Sequence, residues 1–292
     1  MEPKTAQFRL KPFVGYTFAA MVTPAGEGVR FQFASDQSLL VYFSEQSEIG
    51  RSKDWPLQGQ GQGRAPGPVH EKAGTGAARP LHSRITLQAN EDIRRLLRLL
   101  ELEPVAGVRN LHPAYCSLLV KFDAPRMEHA ELEAILRRYL ERLAEVKLPE
   151  PRHVDIPVCY GGELGPDLTE VCKLRGMTEA QAIELHASVK YLVYFLGFVP
   201  GFAYLGELPK ELVTPRLPAP RKRVPAGSVG IAGNQTGVYP FATPGGWRLI
   251  GRTPLKMFRA EKDGLSLLSI GDRVRFAPIS AERFVEMERA CA

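Results

Sequence analysis

The sequence predicts an α+β protein of two domains: a small two-layer α/β domain, followed by a small β-barrel or sandwich. At 292 residues the chain exceeds one typical domain. Its first half shows strand-like and helix-like segments in the order β, α, β, β, α. Its second half carries short β-prone segments that Gly, Pro and Asn separate every few residues.

The first domain is expected over residues 1–148. Residues 29–34 and 38–43 have the aromatic and β-branched bias of strands, and residues 105–111 and 114–122 are predicted to be strands as well. Two amphipathic helices are predicted from apolar residues at helical spacing. The first has Asn90 as its N-cap and an apolar stripe of Ile93, Leu96, Leu97 and Leu100; the second has a stripe of Leu132, Ile135, Leu136, Tyr139, Leu140 and Leu143. Both helices are expected on one face of an antiparallel sheet.

Residues 50–80 interrupt this domain. Eleven of these thirty-one positions are Gly or Pro. A segment of this composition can bury too little apolar surface to offset the conformational entropy that it would lose on folding. We therefore expect a disordered surface loop here. No strand leads into its glycines and no lysine completes a Walker motif, so a phosphate-binding loop is not favoured.

The second domain is expected over residues 153–292, after the proline-containing connector at 148–152. Asp167 is predicted to cap a helix that ends at Gly176, and Thr178 with Gln181 forms a capping box for the next helix. Residues 190–198 are predicted to form a buried strand. The barrel strands are then predicted at 228–232, 237–241, 247–252 and 273–278, with a short helix after them.

Composition restricts the class of protein. Neither a signal peptide nor an apolar run of the roughly 20 residues that a membrane helix needs is evident, so we expect a soluble, cytoplasmic protein. The four cysteines are scattered and the histidines lack HxxxH or HExxH spacing, so no metal site is predicted. The basic residues are interleaved with Pro and Gly and form no nucleic-acid reading module.

One segment carries the net charge of +6. Residues 212–260 contain no Asp or Glu but eight cations: Arg216, Arg221, Lys222, Arg223, Arg248, Arg252, Lys256 and Arg259. Arginine forks and glycine-rich backbone both suit carboxylate or phosphate oxygens, so this segment predicts a site for an anionic small molecule. The alternative is a solvated barrel face. We favour that alternative for four of the cations, namely Arg216, Lys222, Lys256 and Arg259, and leave both open for Arg221, Arg223, Arg248 and Arg252.

Three further groups of residues are candidates. Asn234, Gln235 and Thr236 offer donors and acceptors to an amide or lactam, although the same residues can simply hold a loop together. Gly201 and Phe202 form either an aromatic pocket wall or a tight bend between core strands. His186 is a candidate base, but a lone histidine on a helix is more often a packed residue.

Long, ordered motifs resemble a known family. They are DIPVCYGGELGPDLTEVC at 155–172, YFLGFVPGFAYLGE at 194–207, RVPAGSVGIAGNQTGVYPF at 223–241, PGGWRLIGRTPL at 244–255 and GDRVRF at 271–276. Together they resemble the family of the B subunit of 5-oxoprolinase, which includes a sporulation kinase inhibitor and proteins named allophanate hydrolase subunit 1, and whose domain is that of carboxyltransferase subdomains C and D. The 50–80 segment departs from the family pattern, and Asn234 stands where many relatives are expected to have Ser.

The resemblance implies a cyclophilin-like β-barrel for the second domain. It also implies ATP-dependent opening of the lactam of 5-oxo-L-proline to L-glutamate, active only in a complex with two partners. These are the C subunit of 5-oxoprolinase, whose fold is related, and the A subunit. Whether this chain itself contacts ATP is left open.

Within that reaction, Arg223 and His186 are the candidate catalytic residues. The candidate substrate-binding residues are Arg221, Asn234, Gln235, Thr236, Arg248, Arg252, Gly201 and Phe202. The family leaves two rival functions open. One is inhibition of a sensor histidine kinase by direct binding, and the other is a carboxyl-transfer role related to urea carboxylase or allophanate hydrolase.

Overall fold

The computed structural model describes residues 23–25, 29–43, 86–260 and 265–291. The segment predicted to be disordered, residues 50–80, lies outside the described residues. The described chain forms two large hydrophobic cores, one within residues 29–146 and one within residues 154–276, and a smaller third cluster within residues 199–249. It is α+β, as the sequence predicts.

The N-terminal part is a five-stranded antiparallel sheet covered by two helices. Its strands are β1 (Thr23–Ala25), β2 (Val29–Ser35), β3 (Ser38–Phe43), β4 (Val108–Pro113) and β5 (Ser117–Phe122), in the spatial order β1-β2-β3-β5-β4. Helices α1 (Leu87–Leu102) and α2 (His129–Glu141) pack their apolar stripes on one face of the sheet. This is the two-layer arrangement that the sequence predicts.

The start of α1 differs from the prediction. The helix begins at Leu87, and the Thr86 side chain accepts the capping hydrogen bond from Ala89 N. Asn90 is therefore not the N-cap. It is wholly buried inside the helix, where its side-chain amide donates to the backbone oxygens of Tyr115 and Tyr194 at 3.4 and 3.2 Å. Sequence spacing does not reveal such a contact between distant segments.

The second part is a closed barrel of seven strands. The remaining strands are β6 (His153–Tyr160), β7 (Tyr191–Leu196), β8 (Ala203–Gly206), β9 (Arg221–Val224), β10 (Ser228–Ala232), β11 (Gln235–Val238), β12 (Thr243–Gly245), β13 (Arg248–Arg252) and β14 (Arg273–Pro278). The barrel closes in the order β10-β11-β8-β7-β14-β6-β13. Strands β9 and β12 stand apart as a two-stranded antiparallel ribbon.

Three helices accompany the barrel: α3 (Leu168–Arg175), α4 (Glu179–Ser188) and α5 (Ala281–Cys291). The predicted capping box is present, because Thr178 and Gln181 exchange side-chain and backbone hydrogen bonds at the start of α4. Gly176 ends α3 with φ +67°, a left-handed conformation that glycine adopts without strain. Among the described residues, no helix is long and apolar enough to cross a membrane.

The two parts meet at an aromatic junction. The ring of Tyr115, in the β4–β5 turn, lies 4.8 to 5.7 Å from those of Tyr194, Phe195 and Tyr204 on β7 and β8. Together with the Asn90 hydrogen bonds, these contacts fix the sheet domain against one side of the barrel. The junction lies beside Arg216 of the basic segment.

Candidate functional site: the arginine and aromatic surface of the barrel

The first of the predicted arginines lies beside a carboxylate. Arg221 Nη2 donates to Asp167 Oδ1 at 2.6 Å, and Asp167 Oδ2 accepts from the backbone N–H of Leu249 at 2.6 Å. Asp167 occupies the N-cap position of α3 but makes no side-chain capping bond, contrary to the prediction. Its buried carboxylate instead joins the start of α3 to β9 and β13.

Arg248 is nearly buried, at 5% exposure. Its Nε donates to the backbone oxygen of Pro215 at 3.0 Å, and its Nη1 lies 2.9 Å from Glu170 Oε1. Arg248 therefore fastens the segment before β9 to the barrel wall while facing a carboxylate of α3. The acid-free segment predicted from sequence is thus neutralised in part by acids from α3.

Arg252 also has internal partners. Its Nε donates to the backbone oxygen of Ala226 at 2.8 Å, and its guanidinium lies over the ring of Phe284 at 5.9 Å. Nη2 is 3.9 Å from Glu288 of α5, at the outer limit of an ion pair. The contacts of Arg252 hold α5 and the β9–β10 turn to β13.

Arg223 differs from these three. It lies two residues after Arg221 on β9, so alternation along the strand directs both side chains to one side of the ribbon. The side chain of Arg223 is exposed, and it makes no hydrogen bond or ion pair with the residues that the structure describes. Its guanidinium is therefore available to an anion.

The side chains of Asn234, Gln235 and Thr236 differ in their exposure to solvent. Asn234 is exposed in the turn between β10 and β11, where its backbone oxygen accepts from Leu208 N at 2.8 Å. Gln235 is half-buried at the start of β11, whereas Thr236 is wholly buried. The structure therefore does not bring the three side chains together on one surface.

His186 lies inside the barrel with Thr236. Tyr160 Oη lies 2.7 Å from His186 Nδ1, and His186 Nε2 lies 2.9 Å from Thr236 Oγ1. Because the Thr236 hydroxyl donates to Gly230 O at 3.1 Å, it accepts from Nε2–H, and Nδ1 accepts from Tyr160. Burial lowers the pKa of His186 to about 3, so the ring is neutral at physiological pH. This geometry favours a role in the barrel core over proton transfer to a surface ligand.

Phe202 belongs to the third apolar cluster, next to the ribbon, and Gly201 precedes it in the chain. Phe202 contacts the rings of Tyr204, Tyr239 and Trp247 at 4.9, 5.3 and 5.5 Å. Gly201 has φ +80°, and a Cβ there would lie 2.8 Å from the Cβ of Phe258. A glycine is therefore required for this loop to approach Phe258.

The sequence assigned Arg216 to a solvated barrel face, and the structure shows it exposed, beside the aromatic junction. Burial raises the pKa values of Tyr115, Tyr204 and Tyr239, and the exposed Arg216 lies close enough to all three phenols to oppose that rise. The sequence did not predict that Arg216 lies close to Tyr115, Tyr204 and Tyr239, because these residues are distant from Arg216 along the chain. Arg216 lies at the aromatic junction of the two domains, and within the described part of the chain it forms no ion pair.

The β6–α3 connection has one feature of a site for a phosphate of ATP, because its glycines lead from a strand into a helix N-terminus. The geometry does not fit a phosphate. The carboxylate of Asp167 occupies this end of the helix, and the N–H groups of Asp167 and Leu168 already donate to Leu249 O and Gly165 O. Nor do the described residues contain a cluster of His, Cys, Asp and Glu that could hold a metal.

Comparison with known proteins identifies the family. The family model described as carboxyltransferase domain, subdomain C and D, matches residues 73–268. The B subunit of 5-oxoprolinase from Escherichia coli O157:H7 is 49% identical over 196 residues, which cover 66% of this chain and 88% of that protein. The protein of the same name from Bacillus subtilis strain 168 is 43% identical over 210 residues, covering 68% of this chain and 88% of that one.

The fold has a wider distribution. The crystal structure of the Kluyveromyces lactis urea amidolyase matches with a TM-score of 0.64 at 18% identity, over 92% of this chain and 16% of that one. This chain thus spans about a sixth of that protein's length, and the likeness shows a shared fold alone. The closed barrel is the cyclophilin-like barrel that the sequence resemblance implied. The chain belongs to the family of the B subunit of 5-oxoprolinase, built on carboxyltransferase subdomains C and D.

Proposed function

We propose that this chain is the B subunit of an ATP-dependent 5-oxoprolinase, which opens the lactam of 5-oxo-L-proline to give L-glutamate. The observation that carries the proposal is 49% identity to a protein named as the B subunit of 5-oxoprolinase, over 88% of that protein's length. In this proposal the chain is active only with its companions, the A and C subunits.

The reaction needs cations that have no other partner. The substrate carries a carboxylate, and activation of an unreactive lactam oxygen by phosphorylation places further negative charge at the site. Arg223 and Arg216 meet this need, because both are exposed and neither is paired with a described carboxylate. We assign Arg223 to the anion that develops during the reaction, and Arg216 to the substrate carboxylate.

The paired arginines have a different part in this proposal. Arg221 and Arg248 are held by Asp167 and Glu170, so their charges are already balanced. Arg221 lies on β9 itself, and Arg248 binds the backbone of Pro215 just before it. Both are therefore positioning residues that hold the ribbon, and with it Arg223, against the barrel.

The half-buried ring of Tyr204 supports the same assignment. It lies next to Arg216 and over the buried rings of Phe202, Tyr239 and Trp247, and its apolar face matches the apolar edge of a five-membered lactam ring. Asn234 is the exposed amide of the predicted group and serves as a partner for the ring amide in this proposal. No step is assigned to ATP on this chain.

The test is reconstitution. The chain is co-expressed with the subunits encoded beside it, the complex is purified, and L-glutamate and ADP are measured after addition of 5-oxo-L-proline. Formation of both products in equal amounts, with neither formed when this chain is omitted, is the expected result. A complete, folded complex that leaves 5-oxo-L-proline unchanged would contradict the proposal.

A further inference from the structure

Two arginines from different domains lie near each other where the domains meet. Arg94 is on α1, and its guanidinium packs on the backbone of Gly271 in the turn before β14, where a Cβ would be 2.7 Å from Nη2 and 2.9 Å from Cζ. Arg273 follows Gly271 by two residues, at the start of β14. It lies close enough to Arg94 for the two positive charges to repel each other. The junction therefore brings two like charges together.

The register of β14 explains why Arg273 faces α1. Val274 is wholly buried in the barrel core, so strand alternation directs Arg273 to the outer face of the barrel. Helix α1 covers that face, because Asn90, one turn before Arg94, donates to the backbone oxygen of Tyr194 on β7 at 3.2 Å. Arg94 and Arg273 thus approach each other between the helix and the barrel wall.

The charges of the two arginines are not balanced by the acids of α1. Arg94 and Arg273 are half-buried, and within the described chain neither forms a hydrogen bond or ion pair. Burial lowers the pKa of Arg94; Glu91 opposes that fall, and Arg273 and Arg95 add to it. Glu91 and Asp92 are both engaged by Arg95, at 2.5 and 3.6 Å. Three cations therefore face two acids here.

The acids of the barrel do not pair with the two arginines either. Asp272 lies between Gly271 and Arg273 in sequence, but it is buried and accepts from Arg152 Nε at 3.0 Å and from the backbone N–H of Ser269 at 2.7 Å. Glu207 is exposed and forms no ion pair with the residues that the structure describes. A small anion can therefore take the place that a protein carboxylate leaves open.

Tyr194 supplies a hydroxyl donor at the same place. The residue is only 1% exposed, and its Oη has no hydrogen-bond partner among the described residues. Burial raises the pKa of Tyr194 to about 12, Glu207 adds to that rise and Arg273 opposes it. The hydroxyl is therefore protonated at physiological pH and lies near Arg273. A buried hydroxyl without a partner is rare, and an acceptor that completes it stabilises the folded chain.

We propose that Arg94, Arg273 and the Tyr194 hydroxyl form a binding site for a small oxyanion of the phosphate class, between the two domains. Arginines donate readily to phosphate oxygens, and two cations match the charge of a phosphate dianion better than that of a single carboxylate. Because the arginines belong to different domains, the anion joins the domains to each other. The site consists of residues other than Arg216 and Arg223, and it does not depend on the proposed function.

The test is thermal unfolding at pH 7.5 over a series of inorganic phosphate concentrations, with chloride keeping the ionic strength constant. A ligand that binds only the folded chain raises its melting temperature by mass action, so the series gives the affinity. The variants are Arg94→Gln, Arg273→Gln and Tyr194→Phe. Arg275→Gln is the matched control, because Arg275 also points outward from β14 but pairs with Asp155 at 2.6 Å.

We expect each arginine variant to bind phosphate about tenfold more weakly than the wild type, or weaker still, because each lacks one charge-assisted hydrogen bond. The Arg275→Gln control is expected to keep wild-type affinity. Tyr194→Phe is expected to bind phosphate more weakly, yet to be at least as stable as the wild type in chloride, because it removes a buried hydroxyl that has no partner. This variant separates loss of the site from loss of the fold.

Wild-type affinity in either arginine variant would overturn the proposal, since phosphate would then bind elsewhere on the chain. An equal rise in melting temperature with acetate would overturn the assignment to phosphate. Glu207→Gln tests the remaining acid. The proposal expects this variant to bind phosphate more tightly, because a nearby negative charge is removed. A loss of stability in chloride without tighter phosphate binding would make Glu207 the internal counter-ion, and the proposal would fail.

Discussion

Asp167 and Arg221 are joined by a 2.6 Å ion pair between the start of α3 and the ribbon strand β9. Only 7% of the Asp167 side chain and 29% of the Arg221 side chain are exposed. The other Asp167 oxygen accepts from Leu249 N on β13. One carboxylate therefore joins three segments that are distant in sequence. One of them is β9, the strand that carries Arg223.

The first prediction concerns this carboxylate. Asp167→Asn keeps a side-chain oxygen for Leu249 N but removes the charge that faces Arg221, so the free energy of unfolding is expected to fall by about 2 to 3 kcal/mol. Urea denaturation at pH 7.5 measures the loss. In a double-mutant cycle, Arg221→Gln added to Asp167→Asn is expected to cost much less than it costs alone. Additive losses would show that the two side chains do not interact.

Arg223 provides the second prediction. Because Arg223 is exposed and has no described partner, Arg223→Ala is expected to change the free energy of unfolding by less than about 0.5 kcal/mol. Turnover by the assembled complex is expected to fall about a hundredfold or more, as when a charge-stabilising group is lost. The neighbouring Lys222→Ala serves as the control and is expected to keep most of the activity. Wild-type rates for Arg223→Ala would remove Arg223 from the site.

The third prediction is that the buried His186 makes the free energy of unfolding depend on pH. The folded pKa of about 3 lies below the usual value of 6.5, so the unfolded chain binds the proton that the folded chain excludes. The contribution of His186 to the free energy of unfolding is therefore fully present above pH 6.5. It is lost as the pH drops from 6.5 toward 3, by up to about 1.4 kcal/mol for each pH unit. Urea denaturation at pH 7.5 and 5.5 measures this difference.

The control for this effect is His186→Gln, which removes the titrating ring but keeps polar atoms near Tyr160 and Thr236. We expect that variant to be less stable at pH 7.5 and to lose less stability between pH 7.5 and 5.5 than the wild type does. An unchanged pH slope in His186→Gln would mean that other groups cause the dependence.

Asn90 provides the fourth prediction, on the junction between the domains. In Asn90→Asp, a carboxylate replaces an amide that donates to the backbone oxygens of Tyr115 and Tyr194, and the site is wholly buried. We expect a loss of about 3 kcal/mol or more in the free energy of unfolding. Thermal unfolding measures it, and Asn110→Asp, the same change at an exposed position, is the control. Equal melting temperatures for the two variants would contradict a coupling role for Asn90.

Much of the fold was predictable because its signals are local. Strands β10 and β14 and the capping box at Thr178 follow from residue types within a few positions of one another. The N-cap assigned to Asn90 was wrong because its hydrogen-bond partners lie 25 and 104 residues away. Closure of the barrel, which sets β6 beside both β13 and β14, likewise depends on pairings that the local pattern does not contain.

The site was less predictable for the same reason. The composition of the sequence was enough to predict a segment with many arginines and no acids. It could not predict that Arg221 pairs with Asp167 and Arg248 with Glu170, because both pairs depend on α3 packing beside β13. Neighbouring residues in sequence can also face opposite sides of a barrel wall. This is why Asn234 is exposed while Thr236 lies inside with His186.

The most direct test of a role as one part of a multi-protein enzyme is a titration. Increasing amounts of this chain are added to a fixed amount of the purified companion proteins with ATP and 5-oxo-L-proline, and the rate of L-glutamate formation is followed. We predict no measurable rate without this chain, and a rate that rises in proportion to it until the components are matched in stoichiometric ratio. A rate that is the same with and without this chain would contradict the proposed role.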